Sequence, residues 1–296
     1  YLKIAEGCDN RCTYCAIPAI RGPYRSRSFA SIVSEAEKLA RQGVRELNLV
    51  AQDITLYGKD RGEGRTLPEL LRALAAIPGI AWIRLLYAYP ERITPKLIDV
   101  MAAEEKICAY LDLPIQHGSD KILRRMGRKT TADKLLALIG RLRAAIPGIT
   151  LRSTFIVGFP GETEEDFACL LAFLEEARLD RVGFFAYSQE EGTPAASFPG
   201  QVSQEVKNER LAVALDKQSR IAAAKQKALV GRRLRALVDG RSALDQNVLL
   251  LRSQGQAPEV DGYIRVDGGH AEDGSFVNVK ITGYDGYDLL GIIETK

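Results

Sequence analysis

The stretch Glu6-Gly7-Cys8-Asp9-Asn10-Arg11-Cys12-Thr13-Tyr14-Cys15 places three cysteines within eight residues, with the spacing CxxxCxxC. Soft thiolate ligands this close together indicate a metal centre far more often than a packed core. The chain contains only 5 cysteines, so chance rarely brings three of them together. We therefore predict that Cys8, Cys12 and Cys15 bind a metal and form the reactive part of a site.

Three interpretations of this cysteine motif are open. A structural zinc site is normally closed by four protein ligands, whereas the motif offers three and His117 lies about a hundred residues away. An iron–sulfur cluster held by three thiolates leaves one iron free to take an outside ligand. Three reduced structural thiols are the least favoured interpretation.

Composition and charge place the chain among ordinary globular proteins. Of its 296 residues, 46% are hydrophobic and 27% charged, which is enough for more than one domain. A net charge of +3 is too small to indicate nucleic-acid or membrane binding. No apolar run reaches the ~18 residues of a membrane span, and no signal peptide is visible. Because thiolate clusters require a reducing compartment, we expect a cytoplasmic protein.

The start of the chain points to a missing upstream part. The sequence begins at Tyr1 rather than at a methionine, already inside an apparent strand that runs to Ala5. We therefore expect this chain to be a fragment of a longer protein.

Strand and helix patterns alternate over residues 1–187. Apolar runs predict six strands, at 1–5, 44–50, 82–87, 108–115, 149–157 and 181–187. Helical periodicity and end signals predict helices at 29–42, 67–77, 95–105, 131–145 and 163–177. This order favours a parallel sheet with right-handed crossovers. Six units are fewer than the eight of a closed barrel, so we predict an α/β fold with a partial, open (βα)6 TIM-like barrel.

A long helix over 203–229 follows the predicted barrel, and the pattern then changes. The predicted buried side of this helix consists of Val206, Leu211, Leu215, Ile221 and Leu229. Beyond it, five short apolar runs separated by Asp-Gly turns predict a small antiparallel, OB-like β-barrel. We therefore divide the chain into a core of residues 1–229 and a barrel domain of residues 230–296.

Polar or glycine-rich segments follow several predicted strands. The second strand is followed by Gln52 and Asp53, the fourth by Gln116 and His117, and the fifth by Gly158 to Thr163. Parallel α/β sheets place their sites beyond the carboxyl ends of the strands. Each segment alone is more often a turn, but their shared edge predicts a common pocket. A hydrogen-bonded structural role for His117 is at least as well supported as a site role.

The cysteine spacing, with Tyr14 just before the last cysteine, resembles the cluster loop of the radical S-adenosylmethionine (SAM) enzymes. The resemblance implies a [4Fe-4S] cluster on Cys8, Cys12 and Cys15, with SAM bound to the open iron. It also implies transfer of one electron, cleavage of a carbon–sulfur bond of SAM and formation of a 5′-deoxyadenosyl radical. The cofactor carries this chemistry, and the protein positions it and excludes water.

The same resemblance implies the SAM-binding residues. Gly158, Pro160, Gly161 and Glu162 belong to a turn similar to the family's adenine-binding segment. The family's Gly-Gly-Glu motif is replaced here by Gln52 and Asp53, a departure that concerns the SAM amino group. Tyr14 of the cysteine loop is a further cofactor-binding candidate, and Gln116 and Arg152 are candidates for the ribose or carboxylate of SAM. The other two cysteines, Cys108 and Cys169, lie in apolar surroundings, and we expect both in the core.

The barrel domain resembles the TRAM domain, which is often tied to RNA binding. Residues 234–296 hold six Lys or Arg and ten Asp or Glu, a formal charge of −4. Nucleic-acid binding depends on cationic contacts to phosphate, so this charge favours a basic protein partner, such as a ribosomal protein.

A radical SAM core followed by a TRAM domain is similar to the methylthiotransferases. Residues 6–18, 49–53, 155–167 and 185–196 resemble the branch that modifies a ribosomal protein. This implies methylthiolation of the β-carbon of an aspartate in the twelfth small-subunit ribosomal protein. The alternative within the family is tRNA adenosine methylthiotransfer. A non-enzymatic zinc-binding adaptor is a rival from another class.

The resemblance also implies partners and a second cofactor. It implies a reductase or flavodoxin-type electron donor, no membrane partner, and tRNA as the less favoured substrate. In the family, the transferred sulfur arrives through a second cluster held by three cysteines of an N-terminal domain. Since we find no such cysteines in this chain, we expect it to bind one cluster and SAM but not to methylthiolate alone.

Overall fold

The computed structural model describes residues 1–294, so the last two residues of the expected barrel domain, Thr295 and Lys296, lie outside the described part. A six-stranded parallel sheet forms the core, in the order β1-β4-β5-β6-β7-β8. Its strands are β1 (Leu2–Lys3), β4 (Glu46–Val50), β5 (Trp82–Leu85), β6 (Ile107–Asp112), β7 (Thr150–Val157) and β8 (Arg181–Ala186). The predicted partial (βα)6 barrel is confirmed.

Helices between these strands bury their apolar sides against the sheet. They are α2 (Phe29–Arg41), α3 (Leu67–Ala75), α4 (Pro95–Ala103), α6 (Ala132–Ala145) and α7 (Glu164–Ala177). Each begins at a serine or threonine, and the side chains of Ser28, Thr94, Thr131 and Thr163 accept a backbone N–H of the first turn. These caps fix where each crossover returns to the sheet.

Several short elements were not predicted from the sequence. They are the paired strands β2 (Ala5–Glu6) and β3 (Arg25–Ser26), the helices α1 (Ile17–Arg21) and α5 (Asp120–Arg125), and the 3-10 turns Ile54–Leu56, Pro90–Arg92 and Pro194–Ser197. Each is too short to show a periodicity. Each lies between the carboxyl end of a strand of the sheet and the next long helix.

The long helix α8 (Gln204–Lys227) is present, but its predicted buried side was only partly right, since Leu211 and Leu229 pack against apolar clusters whereas Leu215 faces outward. Of the five apolar residues assigned to that side, only Ile221 is fully buried, and Leu215 is 43% exposed. Polar side chains line the buried face instead: Lys207 donates to the Tyr187 carbonyl at 2.9 Å and Gln218 to the Leu179 carbonyl at 3.0 Å. Hydrogen bonds satisfy these groups, so hydrophobic periodicity could not reveal the face.

Residues 233–293 form a closed five-stranded barrel, in the order β10-β11-β13-β12-β9. Its strands are β9 (Arg233–Arg241), β10 (Val248–Arg252), β11 (Ile264–Asp267), β12 (Phe276–Asp285) and β13 (Asp288–Ile293). All pairs are antiparallel except β11–β13. Closure leaves this small sheet without an edge. The division of the chain at residues 229 and 230 stays a prediction.

The barrel domain packs directly against the core. Trp82 on β5 lies edge-on to Phe276 on β12, with ring centroids 4.8 Å apart. Buried Arg252 donates to Glu46 of the core and to Asp239 of the barrel, both at 2.8 Å. A further contact joins Tyr110 to Asp261 at 2.8 Å.

The two cysteines outside the loop differ in their surroundings. Cys108 is buried, as expected, but Cys169 is exposed on α7, so its assignment to the core was wrong. Leu170 is buried against the core, whereas Ala168 and Cys169 fall on the outer side of the helix. Within residues 1–294, we find no helix whose length and apolar character would let it cross a bilayer.

Candidate cofactor site

The cysteine loop begins at the carboxyl end of β1 and is held by its first glycine. The Gly7 N–H donates to Oε1 of Gln52, at the end of β4, at 2.7 Å. Gly7 has φ of +83°, and a Cβ there would lie 2.1 Å from the Pro23 carbonyl oxygen. Only glycine fits this close approach. The contact places the loop against the end of the second strand of the sheet.

The buried carboxylate of Asp53 holds the cysteine loop through hydrogen bonds. It is 1% exposed, and its Oδ2 accepts from Asn10 of the loop at 3.1 Å and from Arg92 at 2.8 Å. Its Oδ1 accepts from the Thr55 N–H at 2.9 Å. Both carboxylate oxygens are therefore engaged within the protein. The predicted SAM contact at Asp53 is placed beside the loop but already has partners.

Two of the three cysteines line one cavity. Cys8 and Cys15 share a volume of about 460 Å³ with Gln52, Tyr87 and neighbouring apolar residues. Tyr87 has φ of +62°, a strained conformation for a tyrosine of the kind that clusters at ligand sites. Burial raises the pKa of the Cys8 thiol and of the Cys15 thiol. A metal that binds these sulfurs must therefore displace their protons.

Cys12 faces a different set of groups. Its thiol is close enough to the phenols of Tyr14 and Tyr89 to act on the pKa of both. Burial raises the pKa of Tyr14 and of Tyr89, and the nearby Cys12 thiol raises both further. The guanidinium of Arg128 lies 4.0 Å from the Tyr89 ring centroid and pairs with Glu91 at 3.0 Å.

The chemistry of the three cysteines suits an iron–sulfur cluster, but their side chains are not yet arranged around one point. Among residues 1–294, no group of three His, Cys, Asp or Glu side chains is gathered closely enough to hold a metal ion. The chemistry of the donors fits, because three thiolates in one short loop are the ligands that iron–sulfur clusters take. The loop turn is closed by the Cys15 N–H on the Cys12 carbonyl at 3.1 Å. Ligation by all three sulfurs therefore requires the three cysteine side chains to come closer together.

The glycine-rich turn after β7 reaches the cysteine loop through aromatic rings. Phe159 lies edge-on to Tyr14, with ring centroids 6.5 Å apart. Gly158 and Gly161 have φ of +69° and +81°. Gly161 donates to the Gly200 carbonyl at 2.7 Å, and the Pro160 carbonyl accepts from Arg125 at 3.0 Å. The turn is thus fixed on both sides and lies beside Tyr14.

Glu162 is the buried centre of a network that ties this turn to α8. Its Oε1 accepts from Arg210 at 2.9 Å and its Oε2 from the Phe159 N–H at 3.2 Å. Nε2 of His117 lies 3.3 Å from Oε2, and Nδ1 of His117 accepts from the Ser119 N–H at 2.9 Å. These partners support the structural interpretation of His117.

Of the two remaining candidates, Gln116 lies beyond the carboxyl end of β6, whereas Arg152 lies near the start of β7. Gln116 has φ of +79° and is 9% exposed; its backbone bridges to β7 beside Phe155. Arg152 donates to Asp112 at 3.0 Å, and its Nε lies 3.8 Å from Asp261 of the barrel domain. Arg152 is therefore occupied at the junction between the core and the barrel.

Sequence reasoning missed the residues that follow β5. Tyr87, Tyr89, Glu91 and Arg92 lie beyond its carboxyl end, and each contacts the cysteine loop, its cavity or Arg128. The signal was available, because polar and charged residues at a strand's carboxyl end marked the other segments. The contact of Arg210 on α8 with Glu162 could not have been predicted from sequence, since it depends on tertiary packing.

Comparison with protein families gives two matches. A profile of the radical SAM superfamily matches residues 2–174. A profile of the TRAM domain matches residues 230–293. Together they cover the parallel sheet with the cysteine loop and the closed barrel.

Curated relatives match nearly the whole chain. One from Moorella thermoacetica is 57% identical over 296 residues, covering 99% of this chain and 67% of the relative. One from Trichlorobacter lovleyi is 51% identical over 290 residues, covering 98% of this chain and 65% of the relative. Both are named ribosomal protein uS12 methylthiotransferase RimO. The chain thus spans about two thirds of the length of these relatives.

Solved structures share the fold at low identity. A radical SAM methyltransferase, TsrM, from Kitasatospora setae has a TM-score of 0.52 and 22% identity, covering 66% of this chain and 38% of its own. Methylornithine synthase (PylB) has a TM-score of 0.51 and 16% identity, covering 73% and 61%. These likenesses concern the fold of the core.

Proposed function

The chain belongs to the radical SAM superfamily and, within it, to the family of the uS12 methylthiotransferases, and from that premise we propose that it performs the radical step of methylthiotransfer. The three cysteines of the loop would bind a [4Fe-4S] cluster, and the adjoining cavity would bind SAM. The observation that carries the proposal is that Cys8 and Cys15 open on one cavity beside Gln52 at the carboxyl edge of the sheet.

When bound, the cluster supplies one electron for reductive cleavage of a carbon–sulfur bond of SAM, which yields a 5′-deoxyadenosyl radical. The protein's own residues hold and shield this chemistry. Gln52 fixes the loop through Gly7, and Asp53 fixes it through Asn10. The apolar side chains of Ile17 and Val50 line the cavity and keep water from the reactive centre.

Binding of the cluster would change the surroundings of Cys12. Its side chain is half-buried, so it can turn toward Cys8 and Cys15 without disturbing a packed core. Tyr14 and Tyr89 would then lose the thiol as a neighbour. Arg128, which is buried, stays paired with Glu91 at 3.0 Å and keeps the tyrosines in place.

For SAM we propose contacts at the cavity wall and at the glycine-rich turn that lies beside Tyr14. Gln52 lies at the cavity wall and offers an amide to the amino acid part of SAM. The turn of Gly158, Pro160 and Gly161 offers backbone groups to the adenine, because glycines allow close approach. Glu162 and Asp53 act as positioning residues, since their carboxylates already hold Arg210 and Asn10. Gln116 and Arg152 stay predictions for the ribose or carboxylate.

As substrate we propose an aspartate β-carbon of the ribosomal protein uS12. The names of relatives 51% and 57% identical to this chain support it, and so does the barrel domain's formal charge of −4 over residues 234–296. An acidic barrel attracts a basic ribosomal protein more readily than RNA. The family's tRNA-modifying branch is accordingly not favoured.

The remaining requirements are proposed from the resemblance. A cytoplasmic reductase or flavodoxin-type protein would supply the electron, since a reducing compartment preserves thiolates. The sulfur would arrive through a second cluster, for which the five cysteines of this chain offer no further three-cysteine motif. One cluster per chain of residues 1–296 is therefore proposed.

Anaerobic product analysis tests this function. After reconstitution with iron and sulfide, the chain with SAM and a strong reductant should release 5′-deoxyadenosine. Cys15→Ala should abolish release, whereas Cys169→Ala, which removes an exposed cysteine outside the loop, should not. Equal release from both variants would contradict the role of the loop.

A labelled substrate separates the two candidate reactions. A uS12 peptide deuterated at its aspartate β-carbon should transfer deuterium into 5′-deoxyadenosine, because the radical removes that hydrogen. A deuterated tRNA anticodon fragment should not. The opposite result would move the chain to the tRNA-modifying branch.

A further inference from the structure

A second large cavity lies at the end of the core opposite the cysteine loop. We call it the junction cleft; its volume is about 640 Å³. It is bounded by the first residues of β7 and β8, the last turn of α8 with the linker after it, and the loop of residues 253–256. Because the cysteine loop follows the carboxyl end of β1 in a parallel sheet, the two cavities open at opposite strand ends. The cleft therefore cannot serve the cysteine site directly.

The junction cleft is strongly basic. One acidic residue, Asp180, lines it, against six cationic residues: Arg143, Arg181, Lys225, Arg232, Arg233 and Arg235. Two of the six have carboxylate partners, Lys225 with Asp180 at 3.0 Å and Arg233 with Glu294 at 2.9 Å. Within residues 1–294, the other four have none at salt-bridge distance. Converging cations raise the local concentration of anions.

A buried amide in the cleft has no partner. Gln226 on α8 is 3% exposed, and neither Nε2 nor Oε1 makes a hydrogen bond within the described chain. Leaving a buried amide unsatisfied costs about 1–3 kcal/mol, so such groups are normally matched by a ligand or water. Gln226 needs an acceptor for its N–H and a donor for its carbonyl oxygen. A phosphate oxygen satisfies the first, and a hydroxyl or N–H of a sugar or base satisfies the second.

We propose that the junction cleft binds a nucleotide unit, with the arginines around its phosphate and Gln226 against its sugar or base. The cavity is within the ~300–1,000 Å³ range of small-molecule sites. Arg143, in the last turn of α6, and Arg181, at the start of β8, are the principal phosphate ligands, since both line the cleft and neither has a carboxylate partner within residues 1–294. The nucleotide is either a free molecule or part of an RNA strand that crosses the junction. This site is independent of the cysteine loop and of the proposed reaction.

The proposal is tested by calorimetric titration of the full chain with three ligands. They are CMP, cytidine and a cytidine oligoribonucleotide of about twelve residues. Cytosine ligands avoid confusion with adenosine binding at the proposed SAM cavity. CMP should bind below about 1 mM, cytidine at least about tenfold more weakly, and salt should weaken CMP binding. Tighter binding of the oligonucleotide than of CMP identifies RNA as the source, and the reverse order identifies the free nucleotide. If neither phosphate ligand binds more tightly than cytidine, the proposal is wrong.

Paired variants locate the binding. Arg143→Ser should weaken binding about tenfold or more, since it removes a charged hydrogen-bond donor. Its control is Arg141→Ser, on the same helix but outside the cleft. Gln226→Leu should also weaken binding, yet leave thermal stability equal or higher, because it removes an unpartnered amide. Equal affinities for the Arg143 and Arg141 variants, or wild-type affinity in Gln226→Leu, would overturn the assignment.

Discussion

At the scale of single residues, the cysteine loop depends on contacts that its spacing does not reveal. The spacing identifies Cys8, Cys12 and Cys15, and the position after β4 identifies Gln52. Sequence could not show that Gln52 holds the Gly7 N–H while Asp53 holds Asn10 and Arg92. Nor could it show that Cys12 faces two tyrosines. These features arise from side-chain directions, which depend on the folded backbone.

Replacing Gln52 with alanine tests the loop contact. Gly7 is buried, so its N–H would be left without an acceptor, at a cost of about 1–3 kcal/mol. We expect that loss in the free energy of unfolding, measured by denaturant titration. Gln52→Glu keeps an acceptor oxygen at the same position and serves as the control. Equal stability of the alanine variant and the wild type would show that the contact is dispensable.

At the scale of elements, regular segments were predictable and irregular ones were not. Helices such as α4 and α6 have caps at Thr94 and Thr131 and apolar periodicity, so both their existence and their starts could be derived. The buried face of α8 could not, because Lys207, Arg210 and Gln218 are polar and are buried through hydrogen bonds to the core. Hydrophobic periodicity identifies only those buried faces that consist of apolar side chains.

Arg210 should be the most sensitive position of α8. Arg210→Met would leave the Glu162 carboxylate buried without its cation, and removing one partner of a buried pair costs about 3–5 kcal/mol. Adding Glu162→Gln should recover part of this loss in denaturant titrations. Arg220→Met, on the exposed side of the same helix, should change stability by about 0–1 kcal/mol. A loss no larger for Arg210 than for Arg220 would contradict the network.

The start of α3 should give a defined pH dependence. Burial acts to raise the pKa of Glu69, but hydrogen bonds from Lys96 and Thr66 hold it down to about 2. Because the pKa is lowered on folding, the stabilisation is present above the unfolded value of about 4.3 and is lost as pH falls toward about 2.

Glu69→Gln isolates that charge, since glutamine can still bond the Thr66 N–H. At pH 7 the free energy of unfolding of the wild type should exceed that of the variant by about 1 kcal/mol or less, because the pair with Lys96 is exposed. The difference should shrink as pH falls from about 4.3. A difference independent of pH in thermal unfolding would show that the carboxylate charge contributes nothing.

At the scale of the whole molecule, sequence indicated both domains but not how they meet. The change from helical periodicity to short strands marks the barrel, yet the junction rests on pairs far apart in sequence, such as Trp82 with Phe276 and Glu46 with Arg252. Such contacts leave no local pattern. They make the core and barrel one packed unit and enclose the junction cleft between them.

The single tryptophan of the chain reports on this junction. Phe276→Ala should expose Trp82, which is 0% exposed, shift its fluorescence to longer wavelength, and lower stability by about 2 kcal/mol or more. Phe185→Ala, at a side chain 59% exposed on β8, should leave both unchanged. An unaltered spectrum in Phe276→Ala would mean that the barrel is not docked as described.

The central claim is that three cysteines of one loop hold a cluster with an iron open to SAM. Anaerobic reconstitution, followed by iron and sulfide analysis and electron paramagnetic resonance with and without SAM, tests it most directly. We predict about four irons and four sulfides per chain, a reduced-cluster signal that changes when SAM is added, and loss of both in Cys12→Ala. One zinc per chain without sulfide, or a cluster signal indifferent to SAM, would contradict the account.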